Sequence, residues 1–374
     1  MAREYFCPRC LDQVTEESVQ YRDRNGAAAA KPQLAYERGL AQWTKAIWLG
    51  DPKPLYQIDP QAKAESFERG VYALCPRGHR MPDHAFDLPS IVVGLVGESA
   101  SGKTVYLGTL LEQLDRGRLL PYLDLEPDEH SEQLQNQIFG EFYRIGQVPE
   151  ATAAGRSDAQ REALTRTAKS EGVERFYLSF FDASGEQNKR QDHGTHNRFL
   201  FRADVVMHFI TPEVVGLTGR TAGRRQDQRQ QWHVTNAAVR SAASTAQPGT
   251  HAAVIIPKSD DIDPASLDML TDARAELDYG HGLTLHRAYE IIEQDSHYIR
   301  GLLRATEDGR VLVDRIEDAY SSTTYHLVSA TGGPADARLN RFPARRPQRV
   351  LDPLLAALVR VRMLNAREGR RALA

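Results

Sequence analysis

The stretch at 91–104, IVVGLVGESASGKT, constrains this chain more than any other. Ile91, Val92, Val93, Leu95 and Val96 form a short run rich in β-branched residues. It is long enough for one buried strand and too short for a helix standing alone. The run opens on Gly97, and Gly97-x-x-x-x-Gly102-Lys103-Thr104 has the spacing of a loop that wraps anionic oxygens with its own backbone N–H groups. Behind it, Leu107, Leu110, Leu111 and Leu114 recur at helical spacing, so the loop leads into an amphipathic helix whose positive end adds to the attraction. The spacing assigns Gly97, Glu98, Ser99, Ala100, Ser101, Gly102, Lys103, Thr104 and Val105 to phosphate binding. Lys103 is expected to reach the β and γ phosphates and to act in catalysis, and the Thr104 hydroxyl to ligate Mg²⁺.

Further strand ends carry the residues such a site needs. The segment 175–182, RFYLSFFD, is a second apolar strand that ends on Asp182, where a carboxylate can hold the Mg²⁺ shell. Gly185 completes D-x-x-G, in which a glycine N–H senses the γ-phosphate. Glu186 follows; a carboxylate can position water there but donates no hydrogen bond while ionised. Slow intrinsic hydrolysis is therefore expected, with help from Gln187, His193 or an arginine supplied in trans. Thr152, in VPEAT, is expected to reach Mg²⁺ and the γ-phosphate as a switch residue, with Thr165 and Thr167 competing for the role.

After a strand at 204–210, another at 251–257 leads into Lys258-Ser259-Asp260. A K-x-D triplet at a strand end can hold guanine. The aspartate accepts from N1–H and the 2-amino group, the lysine stem packs over the base, and a wrong base leaves a buried carboxylate unpaired. Pro257 stands where asparagine or threonine is usual. A last short strand at 325–328 ends at Ser329-Ala330-Thr331, where the backbone of Ser329 and Ala330 can support the guanine O6.

The remaining pattern predicts a strand near 122–125, a helix over 128–143 and a polar loop over 146–172. It also predicts an exposed arginine-rich insertion at 215–231, helices over 230–244, 283–305 and 314–320, and a closing amphipathic helix over 351–364. Arg345, Arg346 and Arg349 read as a solvated connector.

Toward the N-terminus, Cys7-Pro8-Arg9-Cys10 and Cys75-Pro76-Arg77-Gly78-His79 form two similar knuckles. Cys7, Cys10, Cys75 and His79 make the Cys₃His set of a closed tetrahedral zinc site, with His84 a competing fourth ligand. Four protein ligands leave no open position for chemistry, so the site is expected to be structural. Between the knuckles, 34–49 has helical character and 51–60 is a proline-rich loop. The stretch around the knuckles is not basic, which argues against nucleic acid.

At 374 residues with 41% hydrophobic content, the chain can build one large domain with an appendage. The division falls between 1–89 and 90–374. A net charge of −3 exerts no global pull on nucleic acid. No apolar run approaches the roughly 20 residues that span a bilayer, and MAREYFCPRC lacks the apolar core of a signal peptide. A cytoplasmic protein without a membrane partner is expected, its three cysteines reduced.

GESASGKT, DASG, PKSD and SAT occur in the order and strand positions of a translation-factor-type GTPase. With CPRC and CPRGH in front, the chain resembles the bacterial double-GTPase (DO-GTPase) family. The resemblance implies an α/β P-loop NTPase fold, a mostly parallel sheet flanked by helices, behind a zinc-ribbon-like module with a helical insertion. It implies a GTP/GDP switch with Mg²⁺ and Zn²⁺, and an activator-like or effector protein partner in a conflict, defence or signalling system. A P-loop ATPase of another class and a scaffold without turnover are the competing readings, and the oligomeric state is left open.

Overall fold

The computed structural model describes residues 5–7, 10, 12–15, 18–23, 25–29, 71–81, 88–120, 122–149, 163–168, 175–182, 198–218, 225–262, 276–279 and 282–364. The expected helix at 34–49, the loop at 51–60 and His84 lie outside them. Two compact units divide the chain, Met1–Leu88 and Pro89–Ala374.

In the first unit, β1 (Tyr5–Phe6) pairs antiparallel with β2 (Gln13–Val14), and β3 (Gln20–Arg22) with β4 (Tyr72–Leu74). Two-stranded ribbons with strands of two or three residues are marginal by themselves. A cysteine directly follows one strand of each ribbon: Cys7 N–H donates to Asp12 O at 3.0 Å, and Cys75 N–H to His79 O at 2.8 Å.

The second unit is built on a seven-stranded sheet in the order β11-β10-β9-β5-β8-β7-β6. Its centre is β5 (Ser90–Gly97), buried along nearly its whole length as a strand covered on both faces must be. Parallel to it lie β8 (Tyr177–Asp182) on one side and β9 (Val205–Phe209) on the other. The parallel run continues through β10 (His251–Ile256) to β11 (Ser322–Leu327). Beyond β8 the direction reverses, with β7 (Leu164–Ala168) antiparallel to β8 and β6 (Leu125–Pro127) antiparallel to β7. Flanking helices are α1 (Lys103–Asp115), α2 (Glu129–Ile145), α3 (Arg225–Ala243), α4 (Leu285–Arg304), α5 (Glu307–Ala319) and α6 (Asp352–Arg360). Leu95, Leu110, Phe180, Met207, Ile255 and Leu355 meet in one core. The mostly parallel α/β architecture is the one the sequence predicts.

Polar groups set several element ends. Asp128 caps α2 by accepting from Ser131 N–H at 2.7 Å, and Gly146 ends that helix in the left-handed region. The Asp204 carboxylate accepts from Val92 N–H at 2.8 Å, and burial pushes its pKa up to about 6.

Four expectations change. The polar stretch 146–172 contains β7, which the pattern hides because one inward position is Arg166. That side chain is 1% exposed and is satisfied by Asp115 at 2.6 Å, Gln135 at 2.5 Å and Leu125 O at 3.1 Å. Thr165 and Thr167 are ladder residues of β7, and the Thr165 hydroxyl is engaged with Ser131 at 2.7 Å and with Asp128, so neither suits the switch role. The exposed insertion is shorter than expected: Val214, Val215 and Leu217 are buried and α3 starts at Arg225. Arg345 and Arg349 are not solvated. Arg345 pairs with Glu112 at 2.9 Å over the Phe142 ring, and Arg349 is 3% exposed between Asp295 and Asp352.

Candidate nucleotide and metal sites

The loop after β5 takes its shape from close approach and left-handed backbone. A Cβ on Gly97 would lie 2.7 Å from Phe209 O, and Gly102 caps α1 at φ 91°, where a side chain is strained. Ala100 shares the left-handed region at φ 62°. The loop therefore turns its chain back upon the start of α1, the positive end of that helix.

Lys103 is the first residue of α1 and is 6% exposed. Its ammonium donates to Gly97 O at 3.0 Å and Glu98 O at 2.7 Å. Burial pulls its pKa down, while Asp182 and Glu98 hold it up. Thr104 Oγ1 donates to Asp182 Oδ2 at 2.7 Å. A hydroxyl and a carboxylate converging beside a glycine-rich loop at a helix N-terminus are hard oxygen donors of the kind Mg²⁺ takes, so these residues fit that ion.

Two more strand ends reach the same edge. After β10, Lys258 adopts φ 52° and Ser259 N–H donates to Val328 O at 3.1 Å. The Ser329 hydroxyl, just past β11, donates to the Asp260 carboxylate and accepts from Gly332 N–H at 2.9 Å. Thr109 of α1 donates to Ala330 O at 3.2 Å, tying that turn to the first helix. Pro257 faces Gly102: a Cβ built on the glycine would lie 4.0 Å from the proline Cβ, so an apolar ring stands where a polar residue is usual.

Of the expected residues, 97–105, Asp182, Lys258, Asp260, Ser329 and Ala330 thus gather at the carboxyl ends of parallel strands, the edge where open α/β sheets bind ligands. Thr152, Gly185, Glu186, Gln187 and His193 lie outside the described residues. Sequence reasoning missed Thr211, which follows β9 and donates to Glu98 Oε1 at 3.3 Å. Burial pushes the Glu98 carboxyl up, and Thr211 opposes that shift. Only the position of Thr211 past a strand end could have flagged it.

In the first unit, one ligand atom each from Cys7, Cys10, Cys75 and His79 lies within 4.8 Å of all the others. Cys10 Sγ is 3.8 Å from Cys75 Sγ, and His79 Nδ1 is 3.7 Å from Cys7 Sγ and 3.5 Å from Cys75 Sγ. A zinc tetrahedron with ordinary Zn–S and Zn–N bonds has edges of about 3.5–3.8 Å, so the four groups fit the ion.

A family model described as Double-GTPase 2 matches residues 91–296, more than half of the chain, and leaves the cysteine knuckles outside. Solved structures match as well. One, described as the crystal structure of Sup35 complexed with GMPPNP, is 15% identical with a TM-score of 0.26. That match covers 65% of this chain and 38% of the other, so the chain spans well under half of the solved protein's length, and a likeness this loose carries no weight. No curated protein matches. Among the described residues, no helix is long and apolar enough to cross a membrane.

Proposed function

The chain belongs to the Double-GTPase 2 family, and from that premise we propose that it binds GTP with Mg²⁺, hydrolyses it, and signals the difference between GTP and GDP to a protein partner. What supports this reading is that the glycine loop, Asp182, the 258–260 turn and the 329–331 turn share one edge of one sheet, although 78 or more residues separate Thr104 from each of the other three.

In this reading Lys103 and the N–H groups of 97–105 bind the β and γ phosphates, where their preorganised charge is worth more than in water. Thr104 and Asp182 hold Mg²⁺, which would draw negative charge off the γ-phosphate. Asp260 accepts from the guanine N1–H and 2-amino group, the Lys258 stem covers the ring, and the Ser329–Ala330 backbone supports O6. Glu186 orients the attacking water, and Thr152 with Gly185 senses the γ-phosphate. The segments that carry them are the surface an activator-like or effector partner would read. Cys7, Cys10, Cys75 and His79 hold a structural Zn²⁺, which would staple the short ribbons of the first unit. The conflict or signalling setting implied by the family resemblance belongs to the same proposal.

Competition titration of GTP against ATP, followed by multiple-turnover phosphate release, tests it. GTP is expected to bind far more tightly, and Lys103→Ala to abolish release. Preference for ATP would remove Asp260 as base reader. Release undiminished in Lys103→Ala would mean that the turnover comes from elsewhere.

A further inference from the structure

Arg349 is buried in a left-handed backbone conformation, at φ 58°. A bulky residue persists there only where its surroundings over-determine it. Its guanidinium pairs with Asp295 of α4 at 2.6 Å and with Asp352, the first residue of α6, while the backbone N–H of Arg349 donates to the Glu276 carboxylate. Tyr279 donates to the other oxygen of Asp352. Desolvating an arginine and two carboxylates gains little stability over apolar side chains of the same volume, so the cluster calls for a positional role.

What it fixes is the backbone beside the base-reading turn. Gln348, immediately before Arg349, exchanges two hydrogen bonds with Ser329: Gln348 N–H to Ser329 O at 2.8 Å, and Ser329 N–H to Gln348 O at 3.2 Å. Arg346 N–H donates to Thr331 O at 2.8 Å. The Ser329 hydroxyl then donates to Asp260. An unbroken path of bonds runs from Asp295 and Asp352 through Arg349, Gln348 and Ser329 to the Asp260 carboxylate.

We propose that Arg349 is a positioning residue for base recognition: its buried ion pairs set the register of Gln348 against Ser329, and so aim Asp260 at guanine. The proposal rests on Asp260 being the guanine reader. Hydrogen bonds weaken steeply when misaligned. A base that offers Asp260 two donors loses more from a misaimed carboxylate than hypoxanthine, which lacks the 2-amino group. Lysine at 349 keeps the charge but not the planar fork that grips two carboxylates at once.

The test titrates the full-length chain with GDP, IDP and ADP in the wild type, Arg349→Lys, Ser329→Ala and the double variant, with a melting curve for each. Each single variant is expected to lower the GDP-over-IDP affinity ratio by roughly tenfold, the scale of one hydrogen bond to a charged group. Because both act on Asp260 through one path, the double variant should fall no further than the singles. A lowered melting temperature with an unchanged ratio would make Arg349 a structural anchor and overturn the proposal, as would multiplying effects in the double variant. Should Arg349→Lys fail to fold, Asp295→Asn loosens the same guanidinium from its partner and carries the same comparison. A wild type that fails to prefer GDP over ADP would instead overturn the reading of Asp260, and this proposal with it.

Discussion

The Thr104 hydroxyl donates to the Asp182 carboxylate at 2.7 Å, joining the first turn of α1 to the end of β8 across 78 residues of sequence. If these two oxygens hold Mg²⁺, Asp182→Ala should weaken the dependence of GTP binding on Mg²⁺ by about 10–100-fold, as loss of a group supporting a metal does elsewhere. A Mg²⁺ titration of a fluorescent GTP analogue reads this directly. Identical Mg²⁺ curves for variant and wild type would remove Asp182 from the metal shell.

Lys103 contributes charge at a buried point, held by the carbonyls of Gly97 and Glu98. Replacing it with methionine keeps most of the volume and deletes the ammonium. GTP turnover is expected to fall by about 10²–10³, the scale of losing one preorganised donor to a charged transition state. Single-turnover hydrolysis with enzyme in excess separates this from weakened binding, and an unchanged rate would contradict the role.

The Cys₃His cluster predicts one tightly held zinc per chain. Cys75→Ser should lose that metal, and a strong chelator should increase protease cleavage within residues 1–88, because the ribbons of that unit have strands of only two or three residues. Elemental analysis and limited proteolysis measure the two outcomes. A wild-type chain purified with no metal, and equally protease-resistant with and without chelator, would count against a structural zinc.

Three buried histidines, His208, His251 and His326, sit on adjacent strands, and burial is the main cause that lowers the pKa of each. For His208 the folded value is pushed down to about 3 from 6.5. Below pH 6.5 the unfolded chain takes a proton that the folded chain refuses, so its stability contribution is intact above that pH and is lost as pH falls toward 3. The ceiling at pH 5 is about 2 kcal/mol. His208→Phe also deletes the 2.9 Å bond to the Tyr320 hydroxyl, costing about 1 kcal/mol at neutral pH. The variant should therefore start less stable but lose about 2 kcal/mol less between pH 7.5 and 5, by urea unfolding. Burial pushes Asp204 up to about 6 and Glu276 to about 7, which act in the opposite sense and cancel in the difference. Equal acid losses in the two proteins would rule out His208 as a source.

The nucleotide fold was legible where its physics is local. A strand covered on both faces reads as the apolar run Ile91–Val96, a loop that wraps phosphate must spend glycines at Gly97 and Gly102, and the helix behind repeats leucine at its own period. Those constraints act between near neighbours, so the chain itself determined the P-loop, the parallel strands and their order of use. Charge burial is different. Arg166, Arg345 and Arg349 stand in stretches that look solvated, and each finds a partner 31 or more residues away in another element: Asp115 and Gln135 for the first, Glu112 for the second, Asp295 for the third. Nothing in a local pattern distinguishes an arginine facing water from one facing carboxylates, because both relieve the same charge. Tertiary structure alone decided which arginines went inside, and with them the strand at β7 and the backing of the turn that holds Ser329 against Asp260.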